Sequence, residues 1–156
     1  MTTACDYDLL AYRPMQDSDL EEVCALELAV YPHPWTRGNF ADSLSSGYDA
    51  WVLRDEGGTL AGYFLVMGAV DEAHLLNVAV APDRQGRGLG RYLLDKVAAV
   101  ARGLSMTSIL LEVRPSNTRA LKVYEEYGFR MIGRRKGYYP AHEGRREDAI
   151  VMRYTL

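Results

Sequence analysis

The stretch from Leu75 to Arg102, LLNVAVAPDRQGRGLGRYLLDKVAAVAR, constrains the fold more than any other part of the chain. It opens on an almost continuous apolar run, Leu75 to Ala81, with β-branched Val78 and Val80, and Pro82 stops it. A short, β-branched run bounded by proline predicts a buried strand. Gln85-Gly86-Arg87-Gly88-Leu89-Gly90 follows as a glycine loop. Then Leu89, Leu93, Val97, Val100 (or Ala101) and Leu104 recur at the spacing of one helix face. Strand, glycine loop and helix together make an anion cradle. The first N–H groups of a helix have no partner within it, the helix dipole favours negative charge, and glycines admit a ligand close to the backbone. Arg84, Arg87 and Arg91 add positive charge. A plain tight connection is the alternative. The loop lacks the Gly-Lys-Ser/Thr of a nucleotide-phosphate loop and the G-x-G-x-x-G spacing of a dinucleotide site.

The rest of the chain supplies one domain's worth of elements around this unit, with no repeat or linker, and residues 1–156 are expected to form a single domain. Leu9 to Arg13 reads as a strand. Ser18 and Glu21 suggest a capping box for an amphipathic helix reaching Val30, with an acidic outer face. Tyr31-Pro32-His33-Pro34-Trp35 breaks it, and Thr36 caps a short helix carrying Phe40 and Leu44. Ala50 to Leu53 and Thr59 to Val70 form a hairpin about Glu56-Gly57-Gly58. Ser108 to Val113 is a strand, and Asn117 caps a helix from Thr118 to Tyr127 that ends on Gly128. Phe129 to Gly133 and Asp148 to Tyr154 close the sheet, with Lys136 to Pro140 and the residues to Arg146 between them as a loop. The predicted class is α/β: a mixed, mostly antiparallel sheet of about six to seven strands flanked by about four helices.

Charge and cysteine content narrow the function. The net charge of −3 argues against a general nucleic-acid binder. The balance is uneven, since Arg114 to Arg153 carries +5 and the remainder −8. Such blocks are either solvated faces or a division of labour between an anionic cofactor and a cationic substrate. No apolar run approaches the ~20 residues of a membrane span, and the start has no signal-peptide layout. Two cysteines, Cys5 and Cys24, make no disulfide framework, so a cytoplasmic protein without membrane contact is expected. His33, His74 and His142 show no ligand spacing, and no metal is expected.

Three further residues stand out. Glu112 ends the apolar run Ile109-Leu110-Leu111, Asn117 begins a helix, and Tyr124 shares a face with Ala120 and Tyr127. Read by spacing, they are also a strand-end carboxylate paired with an arginine, a helix cap and a packing residue. The glycine loop matches Q/R-x-x-G-x-G/A. With Asp71-Glu72-Ala73, Leu111-Glu112-Val113-Arg114, Ser116-Asn117, Tyr124-Glu125, Gly128-Phe129, Tyr138-Tyr139-Pro140 and Arg146 to Ile150, the chain resembles the GNAT superfamily of acetyl-CoA-dependent N-acetyltransferases over nearly its full length. It is most similar to the RimI group, which acetylates the N-terminal alanine of a small-subunit ribosomal protein.

The resemblance implies acetyl-CoA as acetyl donor and a protein N-terminus as acceptor. Pantetheine would lie along Val78, Ala79 and Val80, with the pyrophosphate on Gly86, Arg87, Gly88, Leu89, Gly90 and Arg91 and Asn117 near the reactive end. Glu112 would take the amine's proton through water and Tyr124 would protonate the leaving thiolate. Trp35, Tyr138 and Tyr139 would cover the peptide, and neither cysteine would be a nucleophile. A lysine side chain or small amine as acceptor, or a non-catalytic acetyl-CoA-binding module, are the competing readings. Pro115 departs from the pattern, and residues before Leu9 have no assigned role.

Overall fold

The computed structural model describes residues 9–156. Its strands are β1 (Ala11–Pro14), β2 (Asp49–Arg54), β3 (Leu60–Ala69), β4 (Glu72–Val80), β5 (Ser108–Val113), β6 (Arg130–Pro140) and β7 (Arg146–Thr155). Its helices are α1 (Leu20–Val30), α2 (Arg37–Ser45), α3 (Leu89–Gly103) and α4 (Thr118–Tyr127). The strands form one mixed sheet in the order β1-β2-β3-β4-β5-β7-β6, and only β4 and β5 run parallel. The predicted class stands.

The sheet buries a core on each face. Leu93, Val97 and Ala101 of α3 pack with Phe64, Ile109, Leu111 and Met152 on one side. Leu20, Val23 and Leu26 of α1 pack with Phe40, Val52, Tyr63 and Leu65 on the other. Ala101, not Val100, completes the inward face of α3, and Leu104 lies past the helix end, 38% exposed. Each fully buried Leu or Phe contributes roughly 1.5–3 kcal/mol.

Entry to α1 differs from the Ser18–Glu21 capping box. A 3-10 turn, Asp17–Asp19, precedes the helix, and the Asp19 carboxylate accepts from Gln16 N–H at 2.8 Å. Asp19 also binds Arg54 at 2.7 Å. Arg54 is buried in β2, so a buried carboxylate must stand here, and that requirement overrides local capping. Thr36 caps α2 as its sequence predicts, accepting from Asn39 N–H.

The irregularity that shapes the centre of the sheet is at β4. Its parallel ladder with β5 runs only from Glu72–Ser108 to His74–Leu110. Beyond it the two strands part. On the other side, β4 pairs β3 with a register shift between Leu65 and Val66 that leaves Leu76 extra. A bulge of one residue moves every later side chain to the opposite face. Ala73 and Leu75 face the α3 core before it; Val78 and Val80 face that core after it, while Ala79 turns to the α1 core. This phase change is why the strand reads as a continuous apolar run instead of an alternating one.

Gly62 lets β3 lie close to β4 after the bulge. A Cβ there would stand 2.8 Å from the Ala79 carbonyl oxygen and 3.1 Å from Leu93 Cδ1. Gly62→Ala is expected to cost about 1–3 kcal/mol through overpacking, read as a fall of several degrees in the thermal midpoint. An unchanged midpoint would show that the two strands have room to part.

Candidate active site

The parting of β4 from β5 opens a cleft of about 630 Å³. One wall is Val78, Ala79 and Val80; the floor is Gly86, Gly88, Gly90 and Arg91; the other wall is α4, through Asn117, Arg119, Val123 and Tyr124. Ala81 N–H donates to Ala61 O, which fixes the alternation of the antiparallel ladder. By that alternation Val78 and Val80 turn their N–H and C=O groups toward the cleft, while Ala79 is spent on β3. Both carbonyls are already engaged. The Tyr31 hydroxyl donates to Val78 O. Gln85 Nε2 donates to Val80 O at 3.1 Å. The N–H groups of Val78 and Val80 are what this wall offers a ligand.

Gly88 is the N-cap of α3 at φ 83°, a left-handed conformation suited to glycine. The first helical hydrogen bond beyond it runs from Tyr92 N–H to Gly88 O. The N–H groups of Leu89, Gly90 and Arg91 therefore precede the helical ladder and form the anion cradle. Leu89 contributes backbone only, since its side chain is buried in the core. Arg87 is exposed and, unlike Arg91, does not line the cleft. Arg84 points elsewhere, pairing with Asp55 at 2.7 Å. Arg119 and Lys122 of α4 take its place at the rim. Asn117 caps α4 through its side-chain oxygen, accepting from Ala120 N–H at 3.2 Å, and also lines the cleft.

Glu112 lies on β5 just past the end of the parallel ladder, on the face opposite Ile109 and Leu111. Its side chain is 6% exposed. Oε2 is 2.5 Å from His74 Nε2. Oε1 is buried with no hydrogen-bond partner among the described residues, and Arg135 Nη2 stands 3.6 Å away. One oxygen is held and the other has an unused lone pair. Spacing foresaw an arginine partner; the stronger partner is His74, which sequence distance hid.

Tyr124 approaches from the opposite face. Its ring packs edge-on against Phe129 at 5.7 Å, and burial pushes its hydroxyl up to about 12. Such a phenol keeps its proton throughout the neutral range. Tyr31 lines the same cleft, and burial, then Tyr124, Glu27 and Tyr139, push its hydroxyl well above the ordinary value. Burial, followed by Glu112, raises Tyr139. Tyr31, Tyr124 and Tyr139 thus gather about the gap near Glu112.

Tyr138 and Tyr139 are not in a loop. They sit in β6, displaced by a register shift between Arg135 and Tyr139. Asp148 accepts from Gly137 N–H and Arg146 donates to Gly137 O, so polar contacts within the bulge hold the strand together. The Arg114 guanidinium covers the Tyr139 ring at 4.3 Å and donates to Pro140 O at 2.8 Å. Trp35 packs on Phe40 at 5.1 Å and does not line the cleft. Its backbone N–H donates to Glu27, a buried carboxylate that also accepts from Tyr63 OH and from Asn77 Nδ2. Glu27 was legible only as an acidic helix residue, yet it ties α1 to the strand bearing the bulge. Two loops meet beside this region, with the His33 and His142 rings 5.7 Å apart.

Cys24 is partly buried and unpaired, and burial raises its thiol; Cys5 lies outside the described residues. Among the described residues no group of three or more His, Cys, Asp or Glu could hold a metal ion. No helix among them is long and apolar enough to cross a membrane.

The [ribosomal protein bS18]-alanine N-acetyltransferase of Escherichia coli K12 is 36% identical over 138 residues, 88% of this chain and 92% of the relative. A putative enzyme of the same description from Bacillus subtilis is 31% identical over 147 residues, 94% of this chain and 95% of the relative. The crystal structure of the Escherichia coli ribosomal-protein-S18-alanine N-acetyltransferase superposes with a TM-score of 0.84 at 33% identity, covering 94% of each chain. Residues 20–129 match the Acetyltransferase (GNAT) family, and with relatives this similar the chain belongs to that family.

Proposed function

We propose that this chain transfers the acetyl group of acetyl-CoA directly to the α-amine of an N-terminal alanine on the small-subunit ribosomal protein bS18, in the cytoplasm, with residues 1–156 as one catalytic domain. The observation that carries the chemistry is a protonated phenol lining the cleft, Tyr124, and a buried carboxylate just past the end of the β4–β5 ladder, Glu112. The observation that carries the acceptor is the shared description of relatives that cover nearly the whole chain.

The cleft fits acetyl-CoA. Its glycine floor and the N–H groups at the start of α3 suit a diphosphate, Arg91, Arg119 and Lys122 add charge, and the N–H groups of Val78 and Val80 suit the amides of pantetheine. When bound, acetyl-CoA supplies an activated acyl thioester. Asn117 holds the reactive end of the cleft. Glu112 Oε1 takes a proton from the α-ammonium through water. An α-amine has pKa about 7.7–8.0, so a weak base is enough near neutrality, while a lysine at about 10.4 is much harder to activate. Tyr124 gives its proton to the departing sulfur. Trp35, Tyr138 and Tyr139 flank the peptide, with Arg114 stacking on Tyr139.

Mass spectrometry of ribosomal proteins from cells with and without the gene tests the acceptor. The bS18 N-terminus should lose its acetyl group in the deletion; full acetylation there would remove this assignment. A panel of alanine-first peptides, internal lysines and small amines, followed by CoA release, separates acceptor classes. Tyr124→Phe should lower kcat by about 10²–10⁴-fold with acetyl-CoA affinity nearly unchanged, because the hydroxyl acts in the transition state. Equal kcat would take Tyr124 out of the acid role. Glu112→Gln should cost most at low pH, where fewer amines are already neutral. A loss of the same size at every pH would make Glu112 a positioning group instead.

A further inference from the structure

We propose that His74 is a positioning residue for this reaction: it holds one oxygen of Glu112 so that the other faces the acceptor amine, and its charge state sets how basic that carboxylate is. The inference rests on Glu112 as the base. His74 is the last residue of β4 in the parallel ladder, opposite Leu110, and the bulge at Leu76 follows it. The side chain projects to the same face as Glu112, two residues beyond Leu110 on β5. A free carboxylate rotates and presents either oxygen. Here Oε2 is bound by the imidazole at 2.5 Å, and Oε1 is left buried without a hydrogen-bond partner among the described residues.

A neutral donor could also hold Oε2. What an imidazole adds is titration in the neutral range. The side chain of His74 is 21% exposed and that of Glu112 6%, so the pair meets solvent through the histidine. With His74 neutral, its Nε2–H donates to Oε2 and the carboxylate keeps its full charge. The α-ammonium then loses one proton through water to Oε1, an N–H bond breaking as an O–H bond forms, and the carboxyl group returns that proton to solvent before the next turnover. With His74 protonated, the imidazolium offsets the carboxylate's charge and the same proton is taken up less readily.

The other charges near the pair do not supply this function. Arg135 of β6 stands 3.6 Å from Oε1 with its side chain 53% exposed, a permanent charge weakened by solvent. Tyr139 of β6 faces Glu112 and keeps its proton. Glu72 of β4 is engaged by Arg153 of β7 at 2.6 Å. Across the sheet, β3 presents Met67 opposite His74. On α1, Glu27 is turned to Tyr63 and Asn77. His74 is the one imidazole in this set, the side-chain type that can switch charge in the neutral range.

The test measures kcat from about pH 5.5 to 9, spanning the histidine range, with acetyl-CoA and a short alanine-first peptide, for wild type, His74→Gln, His74→Ala and Glu112→Gln. His74→Gln retains a donor. Its kcat should stay within about threefold of wild type at high pH, and the ratio of its rate to wild type should rise as pH falls below about 7, since it has no imidazolium to form. Taking the ratio removes the titration of the peptide amine, which is common to both. His74→Ala should lose about tenfold at high pH, with its ratio to wild type rising in the same way as pH falls and KM for acetyl-CoA unchanged. A ratio flat across pH, or wild-type rates in His74→Ala, would overturn the proposal. If Glu112→Gln retains full activity, the base assignment has failed; if it is slow while the His74→Gln ratio stays flat, only the role of His74 has failed. Should His74→Ala not fold, His74→Gln carries the test.

Discussion

The site depends on one local breach of a hydrogen-bonded sheet. Two parallel strands that begin as partners at Glu72–Ser108 separate after His74–Leu110. Backbone groups exposed by such a separation carry a desolvation penalty unless something else pairs with them. Here Tyr31 takes the Val78 carbonyl and Gln85 takes the Val80 carbonyl. A side chain from the residue just past α1 and another from the glycine loop thus stand in for a missing strand. What remains in the gap is donors, and a ligand rich in carbonyl and phosphate oxygen is its natural complement.

The breach is held open from the α1 face. Glu27 is 2% exposed and is bound by Tyr63 of β3, Asn77 of β4 and the Trp35 N–H. Hydrogen bonds to a charged group are worth roughly 1.5–3 kcal/mol each. Asn77 directly follows the extra residue of the bulge, so this carboxylate clamps the strand where its phase changes. The same clamp holds the backbone of Trp35, at the far end of the loop that begins with Tyr31. Fold and site are coupled here, because the residue that stabilises the irregular strand also delivers the phenol that fills it.

Much of this was readable in the chain. β5 and α4 fall on their predicted residues, because a short apolar run stopped by Arg114-Pro115 and a helix bracketed by Asn117 and Gly128 are specified by near neighbours. The glycine loop was readable for the same reason. The sequence misled where partners are distant. Tyr138 and Tyr139 read as loop, yet pairing with Glu147 across the bulge carries β6 to Pro140. Arg84 read as positive charge beside the glycine loop, yet Asp55 at the β2–β3 turn takes it. His74 gave no signal, since its partner is 38 residues away and its position relative to Glu112 depends on where the ladder ends. The basic block from Arg114 to Arg153 divides: Arg119 and Lys122 face the cleft, while Arg114, Arg134 and Arg153 are paired with Glu147, Asp148 and Glu72.

A gap that passes through a sheet also answers a chemical requirement. Direct transfer between two bound substrates needs an acid at the leaving group and a base at the nucleophile, at the same time and without mutual neutralisation. A carboxylate and a phenol side by side on one face would bond to each other. Strand alternation prevents this, because Glu112 projects to the face opposite Ile109 and Leu111, whereas α4 carries Tyr124 on their side. Glu112 engages His74, and Tyr124 packs edge-on against Phe129. Separation by the sheet keeps the carboxylate and the phenol from bonding to each other, and burial keeps Tyr124 protonated through the neutral range, the state that the proposed acid requires.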